Sequence, residues 1–168
     1  MKRLMMILSF ASVLVFSLVF SLVSSQLALA EESHSHHSAG AGEPMKLELD
    51  HGKKWDTDKP LRDGMKRIQG LMEADIRSIH ESKLTDAAYS VLSQKVTLEL
   101  NQIFKNCKLK PEADAALHVI LAQIIAGTTQ MKSEKQGSGK RAGAVKVIGA
   151  LDQYAKFFDH PGWKPVQE

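Results

Sequence analysis

Apolar residues recur at every third or fourth position in four stretches of the chain, a spacing typical of amphipathic α-helices. The stretches predict helices at about residues 60–80, 86–107, 111–131 and 141–158. The positions expected to face a common core are Leu61, Met65, Ile68, Met72, Ile76, Ile79, Tyr89, Leu92, Val96, Leu100, Ile103, Cys107, Leu117, Leu121, Ile124, Thr128, Met131, Ala144, Val147, Ile148, Leu151, Tyr154 and Phe158. His118 and Ile125 widen the apolar stripe of the third stretch.

The connections between the predicted helices are short, which limits how the helices can be arranged. The connections at 81–84 and 108–110 leave no room for a segment that crosses back along a whole helix, and neither does the stretch 133–140. Consecutive helices should therefore run in opposite directions. The sequence predicts an all-α fold, an antiparallel up-down-up-down four-helix bundle within residues 47–168.

The first thirty residues have the features of a secretory signal peptide. Two basic residues precede an apolar run that extends to about Val23, and small residues lead to a predicted cleavage after Ala30. The stretch 31–46 is small and polar without apolar periodicity, so we expect a disordered tail. This tail contains His34, His36 and His37. The protein is therefore expected to be exported to the periplasm.

Charge and composition exclude several classes of protein. Removal of the signal peptide takes 2 of the 22 basic residues and leaves 20 against 19 acidic ones, so the chain lacks the basic surplus of a nucleic-acid-binding protein. No second apolar run is long enough to span a bilayer, and stable membrane insertion is not expected after the signal is removed. The single cysteine, Cys107, excludes a disulfide within the chain. The sequence also allows the protein to form a homodimer.

Two similar motifs flank the helical region. The stretch 49–55 reads LDHGKKW and the stretch 158–163 reads FDHPGW, so each has an Asp-His pair followed by a tryptophan. In an up-down-up-down bundle, the lead into the first helix, the connection between the second and third helices and the exit of the fourth helix lie at one end. The topology therefore places His51, Cys107 and His160 at the end of the bundle where the termini meet, with His118 on the next helix.

Imidazole and thiolate together suit copper, particularly Cu(I), and also zinc. The predicted metal ligands are His51, Cys107, His118 and His160. The carboxylates expected to orient the imidazoles are Asp50, Asp114 and Asp159. The sequence thus favours a periplasmic protein that binds copper, with zinc as the second choice.

Each of these residues also has a structural explanation, so a structural or partner-binding bundle without metal is the alternative. Asp159-His160-Pro161 can simply end a helix, and Cys107 can be a small buried apolar residue. An enzyme is not expected. Catalysis by a Cys107 nucleophile with His118 as base would need oxyanion donors, and the sequence has no nucleophile elbow or glycine-rich loop.

A signal peptide followed by a four-helix bundle of this size is similar to the arrangement of cytochrome b562 and cytochrome c′. The resemblance covers about residues 58–160. The resemblance to cytochrome b562 implies a noncovalent b-type haem held by a methionine early in the first helix and a histidine near the end of the fourth. Met65 and His160 lie near those places. Covalent haem is not expected, because the chain has no Cys-x-x-Cys-His motif.

Three stretches, LDHGKKW at 49–55, NCKL at 106–109 and FDHPGW at 158–163, resemble a group of small exported proteobacterial proteins. The resemblance implies a small exported four-helix-bundle protein and carries no particular activity with it.

Overall fold

A computed structural model of the protein describes residues 46–133 and 137–166, which form four α-helices and no β-strand beyond two isolated bridges. The helices are α1 (Lys59–His80), α2 (Asp86–Asn106), α3 (Pro111–Lys132) and α4 (Ser138–Phe157). The prediction of an all-α, four-helix protein is confirmed. The predicted signal peptide, and all of the predicted tail except Lys46, lie outside the described residues. None of the four helices is long and apolar enough to cross a bilayer.

Side-chain caps and prolines fix where the first three helices begin. The carboxylate of Asp58 accepts a 2.8 Å hydrogen bond from the backbone N–H of Leu61, and Pro60 lies in the first turn of α1. The hydroxyl of Thr85 caps α2 in the same way, and Pro111 opens α3. Such caps satisfy backbone donors that the first turn of a helix leaves without a partner.

The fourth helix begins at Ser138, three residues before its predicted start. Gly137 adopts a left-handed conformation with φ of 56° and turns the chain into the helix at once. Two contacts then hold the first turn: the N–H of Gly137 donates to Asp86, and the buried ammonium of Lys140 donates to the carbonyl of Met131. These contacts come from other helices, so the local sequence does not reveal them.

The core contains most of the positions that the periodicity selects, and the largest fully buried side chains include Tyr89, Tyr154 and Phe158. Two predictions are wrong. Ile125 is 41% exposed and the side chain of His118 is 56% exposed, although both were expected to extend the buried stripe of α3. The helices packed against α3 cover one side of it, and these two residues lie on the other.

The four helices pack on this core, and several contacts define how neighbours meet. Arg67 of α1 forms a 2.6 Å ion pair with Glu99 of α2. The hydroxyl of Ser93 donates to the carbonyl of Thr128 on α3. The α3 and α4 backbones approach closely at two glycines: a Cβ atom on Gly143 would lie 2.6 Å from the carbonyl oxygen of Gly127.

The segments before α1 and after α4 are bonded to each other. The N–H of Trp55 donates to Phe157 O, the N–H of Asp159 donates to Trp55 O, and both bonds are 2.8 Å long. The hydroxyl of Thr57 also donates to the carbonyl of Asp159. We call residues 55–57 and 157–159 the terminal clasp. The clasp brings the two Asp-His motifs to the same part of the molecule.

Candidate functional site

Asp58 is the centre of the polar contacts beside the terminal clasp. One carboxylate oxygen caps α1, and the other accepts a 2.6 Å hydrogen bond from the backbone N–H of Lys108 in the connection between α2 and α3. The thiol of Cys107 also donates to this carboxylate. Asp58 therefore joins the start of α1 to the α2–α3 connection. The contact with Lys108 joins residues 50 positions apart, so the local sequence does not reveal it.

The environment of Cys107 keeps the thiol protonated. Burial raises the pKa of Cys107 to about 12, and the negative charges of Asp58 and Asp114, together with the hydrogen bond to Asp58, act in the same direction. The thiolate is the form of cysteine that binds metals and reacts as a nucleophile. At neutral pH this cysteine is therefore a hydrogen-bond donor, and a metal ion would have to displace its proton.

His160 lies half-buried against two aromatic rings. Its Nδ1 atom is 3.0 Å from the hydroxyl of Tyr154, and its ring centroid is 4.9 Å from that of Trp163. Burial lowers the pKa of His160, and the positive charges of Arg62 and Lys66 lower it further. The imidazole is therefore neutral at neutral pH, with one nitrogen already occupied by Tyr154.

Tyr154 is fully buried, and its hydroxyl group lies near both this histidine and Cys107. Burial raises the pKa of the Tyr154 hydroxyl, and the nearby Cys107 and Asp58 raise it further, so the hydroxyl keeps its proton. Trp163 packs edge-on against the Tyr154 ring at a centroid distance of 5.0 Å. The indole Nε1 atom of Trp163 is buried and has no hydrogen-bond partner.

His51 lies in a tight turn in which Asp50 and Lys53 exchange two backbone hydrogen bonds of 2.8 Å. Its backbone is left-handed, with φ of 47°, a conformation that histidine adopts more often than most residues. The side chain is 99% exposed, and its Nε2 atom is 3.9 Å from the carboxylate of Asp50. The imidazole of His51 is therefore held only loosely.

His118 projects from the outer face of α3. Its Nδ1 atom lies 2.8 Å from the backbone oxygen of Asp114 and 3.4 Å from the carboxylate of the same residue. The ring of Phe104 lies beside it, at a centroid distance of 6.3 Å. This histidine is bonded to its own helix, one turn back.

An open cavity of about 500 Å³ lies beside the clasp. The lead into α1 contributes Asp50, His51, Trp55 and Asp58 to its wall, and the start of α3 contributes Glu112. The cavity is larger than a single metal ion needs, since a water molecule occupies about 30 Å³ of liquid. Of the four predicted ligands, only His51 is among its lining residues.

The structure thus brings the predicted ligands to one region only in part. Cys107 and His160 both lie near Tyr154, His51 lies in the cavity wall, and His118 lies on the outer face of α3. Within residues 46–133 and 137–166, no three His, Cys, Asp or Glu side chains form a group that could hold a metal ion.

The haem alternative depends on a different pair of residues. Met65 is fully buried in the core, and His160 is bonded to Tyr154. Asp159 is exposed, and its contacts within the clasp are made by its backbone.

No protein-family model, curated protein or solved structure matches this chain.

Proposed function

We propose that the protein is an exported, non-enzymatic metal-binding protein with its site in the cavity beside the terminal clasp. The observation that supports this is that side chains of the types that bind copper and zinc lie together in the region of the cavity and Asp58. His51, Asp50 and Asp58 are among the residues that line the cavity, and the thiol of Cys107 is hydrogen-bonded to the carboxylate of Asp58. Imidazole, carboxylate and sulfur are the donors that copper and zinc use in proteins.

The protonation of Cys107 decides which ion is favoured. With the thiol protonated, the cavity offers one imidazole and carboxylates, which suit Zn(II) or Cu(II). Cu(I) prefers the thiolate, so its binding would release the Cys107 proton and become tighter as the pH rises. His51 is exposed and loosely held, so it can turn towards the cavity without breaking a strong contact.

The proposed bundle is antiparallel, up-down-up-down. Gly64 faces Ile103 and Arg67 pairs with Glu99, so the residue numbers rise along α1 as they fall along α2. The same pattern holds where Met131 and Gly127 of α3 meet Gly143 and Val147 of α4. In the proposed function the chain reaches the periplasm through a signal peptide cleaved after Ala30, which mass measurement of the exported protein tests directly.

The test is a competitive titration of the exported protein with Zn(II), Cu(II) and, under reducing anaerobic conditions, Cu(I). His34, His36 and His37 are replaced by alanine throughout, because a histidine-rich stretch chelates metals loosely and would imitate a site. The expected result is one ion bound per chain with a dissociation constant well below about 1 μM, or −8 kcal/mol.

Three variants assign the ligands. His51→Ala should weaken the binding of every ion at least tenfold, and Cys107→Ser should weaken Cu(I) binding far more than Zn(II) binding. His118→Ala is the control, because that imidazole lies on the outer face of α3 and should leave affinity unchanged. If the His51→Ala and Cys107→Ser variants both bind metal as tightly as the wild-type protein, the proposed site is refuted.

The second candidate is a structural or partner-binding bundle without metal. One observation favours it: Cys107, His118 and His160 each already contact another part of the chain, through Asp58, Asp114 and Tyr154 respectively. In this case added Zn(II), copper or a chelator leaves the melting temperature unchanged, and no ion binds more tightly than about 1 μM.

A further inference from the structure

The cavity beside the terminal clasp is larger than a metal ion and its protein ligands require. Its volume is about 500 Å³, and pockets that hold small organic molecules typically measure about 300–1,000 Å³. A water molecule, by comparison, occupies about 30 Å³ of liquid. A metal ion bound in this cavity therefore leaves space for a small organic molecule beside it.

The ligands that the described chain can supply leave coordination positions open. Zn(II) in proteins usually has four ligands, and within residues 46–133 and 137–166 no three His, Cys, Asp or Glu side chains form a group that could hold an ion. Asp58 already accepts hydrogen bonds from the backbone N–H groups of Leu61 and Lys108. An ion held by His51 and one or two carboxylates can therefore take further ligands from another molecule.

The charged residues of the cavity wall come mainly from two segments of opposite charge. The lead into α1 contributes three acidic residues, which are Asp50, Asp56 and Asp58. The connection between α2 and α3 contributes Lys108 and Lys110, and the start of α3 adds one acidic residue, Glu112. A ligand with a positive end and a negative end can therefore pair with both segments.

The two lysines are available to bind an anion. Both are exposed, and neither side chain forms an ion pair or a hydrogen bond with any other residue that the structure describes. The backbone is extended at Cys107 and at Lys110, so residues 108 and 110 lie about 6.6 Å apart at about 3.3 Å per residue. The carboxylates of one small molecule can therefore reach both ammonium groups.

On the basis of the metal site proposed above, we propose that the cavity binds Zn(II) or Cu(II) as a complex with a small polycarboxylate. Part of the polycarboxylate fills the coordination positions that the protein leaves open. A further carboxylate pairs with Lys108 and Lys110, and the ion faces His51 and the aspartates. A polycarboxylate is required because a chelator that uses its only carboxylate on the ion has none left for the lysines.

Binding of the ion and binding of the polycarboxylate are then coupled. Each raises the affinity of the protein for the other by the same factor. A chelator in solution would otherwise compete with the protein and remove the ion. Citrate has carboxylates to spare and should be retained together with the ion. Glycine chelates with its amine and its single carboxylate, so it should only remove the ion.

Equilibrium dialysis with Zn(II) and radiolabelled citrate tests the proposal on the exported protein, with alanine at His34, His36 and His37 as in the titration above. The expected result is about one citrate retained for each bound ion, and no citrate retained when excess EDTA removes the ion. Glycine at the same concentration should not be retained and should lower the amount of bound Zn(II).

Two double variants assign the lysines. Lys108→Ala with Lys110→Ala should weaken citrate retention about tenfold, since exposed lysine–carboxylate pairs are individually modest. It should bind Zn(II) alone at least as tightly as the wild type, because losing two positive charges does not weaken the binding of a cation. Lys95→Ala with Lys146→Ala is the matched control: it removes the same charge from exposed lysines of α2 and α4 outside the cavity and should retain citrate fully. Circular dichroism confirms that both variants are folded.

Three outcomes would overturn the proposal: citrate that removes Zn(II) without being retained, citrate retained equally by the variant that lacks Lys108 and Lys110, and citrate retained when EDTA has removed the ion. Each of them leaves the binding of Zn(II) alone intact, so the proposed function would stand. A protein that binds no Zn(II) without citrate contradicts the proposed function instead, and one that binds none in its presence either contradicts both.

Discussion

The contact between Gly127 and Gly143 leads to the sharpest stability prediction. A Cβ atom on Gly143 would lie 2.6 Å from the carbonyl oxygen of Gly127 and 2.8 Å from the backbone nitrogen of Met131. Both are backbone atoms, so no side-chain rotation can relieve the clash. Replacing Gly143 by alanine must therefore move α3 and α4 apart. Gly127→Ala makes the reciprocal contact and should behave in the same way.

The magnitude follows from the separation that the methyl group requires. Ordinary contact begins at 3.4 Å, so the atoms must retreat by most of an ångström. A gap of that size removes about a quarter to a half of the dispersion energy across it, and overpacking of this kind costs about 3 kcal/mol. Alanine favours the helix over glycine by about 1 kcal/mol. Gly143→Ala should therefore lower the free energy of unfolding by about 2 kcal/mol.

Gly149→Ala is the control, because it makes the same chemical change in the same helix and its added Cβ meets nothing within 4 Å. This variant should gain the helix preference of about 1 kcal/mol. The two variants should thus differ by about 3 kcal/mol, or about 1–3 M in the urea midpoint followed by circular dichroism. If Gly143→Ala proves as stable as Gly149→Ala, α3 and α4 do not approach each other as closely as the structure describes.

Three further predictions concern the region beside the clasp. Asp58→Ala should lower the free energy of unfolding in urea by about 2–4 kcal/mol, because the carboxylate accepts from two backbone N–H groups, whereas the exposed neighbour Asp56→Ala should change it little. The pKa of His160 is lowered in the folded protein from its ordinary value of 6.5, so its contribution to stability is present above that pH and is lost as the pH falls. The melting temperature should therefore fall less between about pH 7 and pH 5 in His160→Gln than in the wild type. Equal losses would contradict the lowered pKa of His160. The thiol of Cys107 should react with a disulfide reagent at pH 8 at least about thirtyfold more slowly than in the urea-unfolded chain. Its pKa is raised from 9.0 to about 12, which lowers the thiolate fraction, and the greater nucleophilicity of a more basic thiolate offsets close to half of that loss on a logarithmic scale. A burst of fast reaction in the folded protein would refute its protonated state.

The helices could be predicted because their signals are local. The caps at Asp58 and Thr85 and the proline at the start of α3 each act within one turn, and the apolar period reports which residues share a face. The period does not report which faces are covered by a neighbour. Ile125 and His118 were therefore placed in the core although they lie outside it.

The candidate site was harder to predict because its contacts join distant parts of the chain. The predicted topology places Cys107 and His160 at one end of the bundle. The hydrogen bond from Cys107 to Asp58 and the hydrogen bond between His160 and Tyr154 depend on how the chain turns after each helix. A histidine that leaves the helix before Pro161 can fold back or project outwards, and no local signal distinguishes the two. Residue type and topology predict which groups are near each other, and side-chain direction decides which of them meet.

The terminal clasp also determines how the protein should respond to mechanical force. The bridge between Trp55 and Phe158 is parallel, so the two segments run in the same direction where they are bonded. A pull that draws the segment before Trp55 away from the segment after Asp159 loads the clasp bonds in shear, because the strands slide along each other instead of peeling apart. The bonds then share the load and break together. A force applied through these two segments therefore loads the clasp before it reaches α1 or α4, because the clasp directly precedes the first helix and directly follows the last.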